Sequence, residues 1–315
     1  MDKPLVVVSG SIALDRIMNV KGRYRDLIKP EKLHALSLVT QVNKLELSAG
    51  GTGGNITYNL AQFGEKPVLI GSVGDDGRDY VAELEKAGID VSHVHFSKLP
   101  TASFMVFTDE EDSQVGGFYQ GAMSDAESLG FKPWQGQQAV AVIAPNNPRA
   151  MNRQVRECVE GGLTMMYDPG QQTTDPEIDL AAGIDAADIL IVNDYELALV
   201  CDKLSTTPEA IRAKVPLVIT TLAKEGSRMD GKSLDKPIEI GIAQPKQVAD
   251  PTGAGDAYRA GFLYGYVRQW ELAKCGRLGA VMASFVVEQH GTQVPLTPAQ
   301  VAERYQQNFK EEIEL

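Results

Sequence analysis

Residues 249–262 read ADPTGAGDAYRAGF, and their interpretation decides what kind of fold this chain makes. The stretch that follows, Ala257 to Trp270, carries Ala260, Leu263, Tyr264 and Val267 at helical spacing with no proline. That pattern predicts a helix whose entry turn is Gly253 to Asp256. Two roles are open for such a turn. An aspartate in the first turn favours the helix dipole and small residues are common at helix starts, so Asp256 could act as a cap alone. Alternatively, Gly253, Ala254 and Gly255 leave successive backbone N–H groups bare, and bare amides at a helix N-terminus form an anion cradle.

Outward from this turn the chain alternates. Short apolar runs occur at 5–10 (LVVVSG), 67–74 (PVLIGSVG), 139–145 (AVAVIAP), 163–169 (LTMMYDP), 188–194 (DILIVND) and 216–222 (PLVITTL), each ending in Gly, Pro, Asp or Leu after Thr. Helical patterns at 79–87, 147–160 and 195–200 lie between them, and the region from Gly255 to about His290 reads as two consecutive helices. Such alternation predicts an α/β fold, a mostly parallel sheet flanked by helices on both faces, with ligands at the C-terminal ends of the strands. Two regions break the pattern. RIMNVKG with NKLELSAG, and TASFMVFTD with SQVGGFYQGAM, are strand-like without long helices between them. They predict a small β lid, formed by segments 16–48 and 101–120, within a single domain covering 1–315.

Bulk properties narrow the function. Thirty Lys and Arg against 42 Asp and Glu give a formal charge of −12, which argues against a nucleic-acid surface. A phosphorylated small ligand would have to be held by backbone amides, a metal ion and a few local bases. Cys158, Cys201 and Cys275 are scattered and show no CxxC spacing, so neither a disulfide framework nor a zinc site is expected. MDKPLVVVSGS has no basic n-region, and no run of about 18 apolar residues occurs, so the expected setting is the cytosol without a membrane partner. GSRMDGKS, 226–233, satisfies the P-loop pattern by letter, but the LDKPIEIGIAQP after it is strand-like and holds two prolines. A P-loop needs a helix there, so Asp230-Gly231 is read as a tight hairpin with Lys232 solvated.

A second glycine cluster, SAGGTGGNITYNLAQFG at 48–64, leads into an amphipathic helix with Asn55 at its entrance. It reads either as a glycine-rich turn with an Asn cap or as a place where backbone, including Gly51, approaches a hydroxyl-rich ligand that the Asn55 amide also binds. These two glycine clusters, with GSIALD, NDYE and TLAKEG, resemble the signatures of the ribokinase family of carbohydrate and nucleoside kinases, in order and over nearly the whole chain. LHALSL, TASF, GGFYQGAMSDA, DPGQQ and VVEQHGTQ resemble its bacterial adenosine-phosphorylating members. Three departures stand out: Thr52 where ribokinases carry lysine, Ala223 where the family has glycine, and Gln120 where a proline is expected.

The resemblance implies a ribokinase-like fold, ATP with Mg²⁺, and transfer of the γ-phosphate to the 5′-hydroxyl of adenosine. Asp256 would be the general base, and Gly253, Ala254 and Gly255 the anion hole. Ser11, Asp15, Gly51, Asn55, Phe104, Phe118, Gln171 and Gln172 would hold the acceptor, with Asp15 on the ribose diol and the two phenylalanines sandwiching adenine. Asn193, Thr221, Lys224, Gly226 and Glu288 would line the donor nucleotide, and Glu196 would organise water around Mg²⁺. By spacing alone, Asn193 and Glu196 also fit a capping box. Glu288 to Gln293 would lie near the donor base or a monovalent cation such as K⁺. Exposed lid edges would pair with a second lid, giving a homodimer. A kinase for another nucleoside or a sugar, and a non-catalytic nucleoside-binding regulator, are the alternatives.

Overall fold

The computed structural model describes residues 3–35, 38–111 and 113–315. Leu36 and Ser37 of the LHALSL segment and Asp112 of the expected lid lie outside the described residues. All six apolar runs form strands: β1 (Leu5–Ser9), β4 (Val68–Val73), β8 (Ala139–Ile143), β9 (Thr164–Tyr167), β10 (Ile189–Asn193) and β11 (Leu217–Thr221). With β5 (Asp90–Phe96), β12 (Ser227–Asp230) and β13 (Ile238–Ile240) they make one sheet among the described residues, ordered β13-β12-β11-β10-β9-β8-β1-β4-β5. From β11 to β5 every neighbouring pair is parallel, while β12 runs antiparallel to both β11 and β13. Strand order reverses at β1, so the crevice for a ligand opens beside its C-terminal end.

Alternation along the strands assigns each side chain to a layer. Val8, Val142, Ile191 and Ile219 pack with α2 (Thr52–Ala61), α8 (Ala254–Tyr266), α9 (Leu272–Val286) and α10 (Pro298–Phe309). Val7, Ala141, Val192 and Val218 face the opposite way, against α4 (Pro148–Gly161), α5 (Leu180–Ala186), α6 (Asp194–Leu204) and α7 (Pro208–Lys214). α3 (Arg78–Lys86) covers β4 and β5, and a one-turn α1 (Tyr24–Leu27) lies outside the layers. Each buried Val or Ile contributes about 1.5–3 kcal/mol, which is why both sheet faces are covered.

Four strands form a second sheet ordered β3-β2-β6-β7: β2 (Ala13–Val20), β3 (Val42–Gly50), β6 (Ser103–Thr108) and β7 (Gln114–Tyr119). The outer pairs are antiparallel and β2 pairs with β6 in parallel, so the sheet is mixed. Three details differ from expectation. β12 and β13 do form a hairpin where the letters spell a P-loop, but its connection, 231–237, is longer than a tight turn because Lys232 and Ser233 bond back to Val215 and Pro216. The helix after Asp256 stops at Tyr266. A third C-terminal helix, α10, is present, capped by a Thr297–Gln300 box that is legible in TPAQ. No helix of the described residues is long and apolar enough to cross a membrane.

Candidate active site

The two glycine clusters, alike as text, do different work. At α2, Gly51 has φ +87 and sits so close to the β1–β2 corner that a Cβ would lie 2.7 Å from Ala13 N. The Thr52 N–H donates to Ser11 Oγ at 3.0 Å and the Gly53 N–H to Ser11 O at 3.0 Å. The helix start is therefore satisfied by the protein itself; Gly51 and Gly53 admit the Gly10–Ala13 corner, and Gly54 admits the Tyr80 hydroxyl. Ser11, expected at the acceptor, accepts from the first amides of α2 through its hydroxyl and its carbonyl.

At α8 the reverse holds. Gly253 precedes the helix with φ +81, a left-handed conformation that side chains resist, and no side chain caps the first turn. Among the described residues the N–H groups of Gly255 and Asp256 have no acceptor. They open onto a cavity of about 680 Å³ lined by Ala254, Gly255 and Asp256. Unsatisfied amides at a 13-residue helix N-terminus carry the positive end of the dipole toward that space.

Asn55 Nδ2 donates to Asp256 Oδ2 at 2.8 Å. The amide is fixed from behind, since Thr292 Oγ1 lies 2.8 Å from Asn55 Oδ1 and Gln293 Nε2 donates to the same oxygen at 3.3 Å. Gln293 also reaches the buried Tyr80 hydroxyl, which donates to Gly50 O at 3.1 Å. Burial pushes the Asp256 carboxyl up to about 6, against the opposing pull of Arg259 and Asn55 and with the help of Asp168 and Asp15. Burial likewise pushes Asp15 up to about 6, opposed by the Phe104 amide. Both carboxyls are poised to exchange protons near neutral pH.

Asp15 is on β2, and pairing through the register places Ile17, Val106, Phe104 and Phe118 on its face of the second sheet. Phe104 and Phe118 are directly cross-strand and remain 39% and 44% exposed, so the pair is not consumed by the core. They, Asp15 and Asn55 lie outside the 680 Å³ cavity, whereas Asp256, bonded to Asn55, lines it.

The cavity is lined by Gln171, Asn193, Glu196, Thr221, Lys224 and Gly226. Asn193 and Glu196 form the capping box of α6: the Glu196 N–H donates to Asn193 Oδ1 at 2.7 Å and the Asn193 N–H to Glu196 Oε2 at 2.8 Å. This leaves Glu196 Oε1 outside the box, and burial, helped by Asp168, raises the carboxyl. Ala223, in the position where glycine is usual, adopts φ +49, the left-handed region that glycine occupies freely. Gln172 is buried and does not line the cavity. Glu288 does not line it either; its carboxylate holds Arg304 at 2.8 Å and the Lys246 N–H at 2.6 Å. It anchors the loop from which Ala243, Pro245 and Val248 do reach the cavity.

Asp168, Arg259 and Tyr80 complete the surroundings and were not among the expected site residues, while Thr292 and Gln293, of the segment expected near the donor base or a cation, brace Asn55. Asp168 heads DPGQQ at a strand end, and Arg259 is one helical turn after Asp256, which are the signals that could have found them.

An open helix N-terminus beside a buried carboxylate, at the C-terminal ends of a parallel sheet, defines a small-molecule kinase. The comparisons agree. The model of the pfkB family of carbohydrate kinases matches residues 3–300. A nucleoside kinase of Methanothermobacter thermautotrophicus is 34% identical over 265 residues, 81% of this chain and 83% of that protein. The inosine complex of a Burkholderia thailandensis nucleoside kinase superposes with a TM-score of 0.85 at 29% identity, covering 98% of this chain and 99% of that one. An adenosine kinase from Sinorhizobium meliloti, at 21% identity, 96% and 99% coverage and a TM-score of 0.74, shares the fold. The chain belongs to the pfkB family and has its ribokinase-like fold.

Proposed function

We propose that the protein transfers the γ-phosphate of ATP to the 5′-hydroxyl of adenosine, giving AMP for purine salvage. The observation that carries this reading is the pair of unsatisfied N–H groups at Gly255 and Asp256, adjoining the Asp256 carboxylate. Asp256 takes the hydroxyl proton as the oxygen forms its bond to the γ-phosphorus, and the bond to the ADP oxygen breaks. The turn from Gly253 to Asp256 meets the charge on the migrating group with fixed N–H dipoles.

Asp15 accepts from the ribose hydroxyls, and the exposed Phe104 and Phe118 supply the aromatic faces a purine needs. The nucleoside kinases among the relatives support a nucleoside over a free sugar. The inosine bound by the Burkholderia protein favours, as a second reading, a purine nucleoside other than adenosine. Thr221, Lys224 and Gly226 serve the nucleotide. Among the described residues no three His, Cys, Asp or Glu side chains gather for a metal. Mg²⁺ on a nucleotide needs only one or two carboxylates besides phosphate and water, and Glu196 Oε1 fits that demand. When bound, the ion neutralises phosphate charge. A K⁺ ion near Glu288–Gln293 belongs to the same reading, as does a cytosolic setting in which ATP and reduced thiols such as Cys158 coexist.

The test is purified protein with ATP and Mg²⁺ in separate reactions with adenosine, inosine, other nucleosides, ribose and fructose, scored for ADP and for the phosphorylated product. Adenosine is expected to give the highest kcat/KM. Replacing both Phe104 and Phe118 by Ala should lower it about 5- to 150-fold, the value of two aromatic stacks, and leave ribose nearly unchanged. Preference for ribose, or an equal loss on both, overturns the reading. No transfer to any acceptor would leave the non-catalytic binder.

The chain acts as one domain, 1–315, in which segments 16–48 and 101–120 close as a lid over the acceptor. Leu45, Met18, Phe107 and Val115 stand in one register row across the sheet face opposite Asp15, with Leu45, Phe107 and Val115 exposed. A second copy turned by a two-fold axis presents the same row, so the lid–lid contact of the homodimer lies on this face rather than on the sheet edges expected from the sequence. Sedimentation velocity at micromolar concentration should show the dimer, and Phe107→Glu the monomer; a monomeric wild type sinks this assignment.

A further inference from the structure

We propose that Arg259, clamped by Asp168, is a positioning residue for the reaction: it holds fixed positive charge beneath the glycine turn and sets the charge balance of the Asp256 carboxylate. The inference rests on Asp256 being the base.

The geometry is specific. Arg259 lies one turn after Asp256 on α8, lines the same cavity and is 8% exposed. Its Nε is 2.6 Å from Oδ2 of Asp168, which is 1% exposed at the end of β9. The N–H is not aligned with the oxygen, so the contact is an ion pair rather than a linear hydrogen bond. A Cβ on Gly255 would sit 2.7 Å from Arg259 Nη1, so the guanidinium packs against the underside of the turn. Gly253 is thus required by its backbone conformation, and Gly255 by the arginine.

A buried ion pair is worth no more to stability than two packed apolar side chains, so stability alone does not account for this one. A guanidinium stays charged at every working pH, which makes it a constant source of field. The groups facing Asp256 are Asn55 from α2, Asp15 from β2, the Tyr80 hydroxyl from α3, Asp168 from β9 and Arg259 from its own helix. Arg259 also faces Glu196 of α6. Of these, Arg259 opposes protonation of Asp256 most strongly after burial has promoted it, and Asp168 acts the other way. Without the arginine the base would be protonated over more of the working range; without Asp168 it would be a weaker base.

The test is titration of Asp256 by its ¹³C carboxyl resonance, assigned by its disappearance in Asp256→Asn, alongside the pH profile of kcat/KM. Arg259→Gln should raise the midpoint by about 1 unit or more, and Asp168→Asn should lower it, each moving the acid limb of the profile in the same direction. Because either single change strands a buried charge, the double variant Arg259→Gln with Asp168→Asn guards against loss of folding. Its midpoint should lie above the wild type and below Arg259→Gln. A double variant titrating as the wild type overturns the proposal, since a merely structural role moves stability and no midpoint. Absence of phosphoryl transfer by the wild type counts against the kinase reading instead, and leaves the titration to decide this one.

Discussion

Asp256→Asn lowers kcat on adenosine by about 10²- to 10⁴-fold, the range for loss of a positioned general base, while nucleoside binding measured by calorimetry stays within a few-fold. The amide is close in shape and the Gly255 and Asp256 N–H groups remain, so the cradle survives and only the proton acceptor is lost. In the wild type, kcat/KM falls as pH drops through about 6, because burial holds the Asp256 carboxyl there and only the ionised form accepts a proton. The acid limb of kcat should vanish in the variant, while kcat/KM keeps the part set by Asp15, whose carboxyl is also held at about 6. Normal turnover by Asp256→Asn would end the mechanism.

Asp15→Asn is expected to lower kcat/KM for adenosine about 10- to 150-fold, chiefly through KM, with kcat nearly kept. A carboxylate accepting from two ribose hydroxyls makes charge-assisted hydrogen bonds worth about 1.5–3 kcal/mol, and the amide can replace one acceptor at most. Steady-state kinetics decide it: an unchanged KM would remove Asp15 from the acceptor site. Both variants also report on stability. Asp15 and Asp256 titrate in the fold at about 6, above the unfolded value near 4, so the folded chain binds protons more tightly in that window. The contribution of these two carboxyls to stability without ligand is therefore fully present below about 4 and is lost as pH rises through about 6, while carboxylates held low, such as Asp76 and Asp90, act in the opposite direction at acid pH. At pH 7.5 either Asn variant should melt no lower than the wild type, which separates lost chemistry from lost folding.

The layers of this protein were legible because they follow local periodicity. Val6 to Val8 and Ile189 to Val192 are apolar on both faces and bounded by turn residues, which marks buried parallel strands without any knowledge of their partners. The second sheet was legible as strands in unusual places, although the parallel β2–β6 pairing was not, because pairing partners 89 residues apart leave no local mark. Ala223 shows the limit from another side. Its departure from glycine was visible in the letters, and its φ of +49 only in the fold.

By itself the sequence determined two helices that begin in glycine turns, each with a polar side chain, Asn55 or Asp256, near its start. It could not tell which turn was free to hold a ligand. Tertiary structure decided that, because the groups that fill the α2 amides come from Ser11, 41 residues away from Thr52, whereas among the described residues no acceptor reaches the Gly255 and Asp256 N–H groups of α8. The same holds for Asn55 on Asp256, 201 residues apart, and for Arg259 on Asp168. An unsatisfied donor is defined by what the rest of the chain fails to bring to it, and that is a property of packing and not of neighbours in sequence.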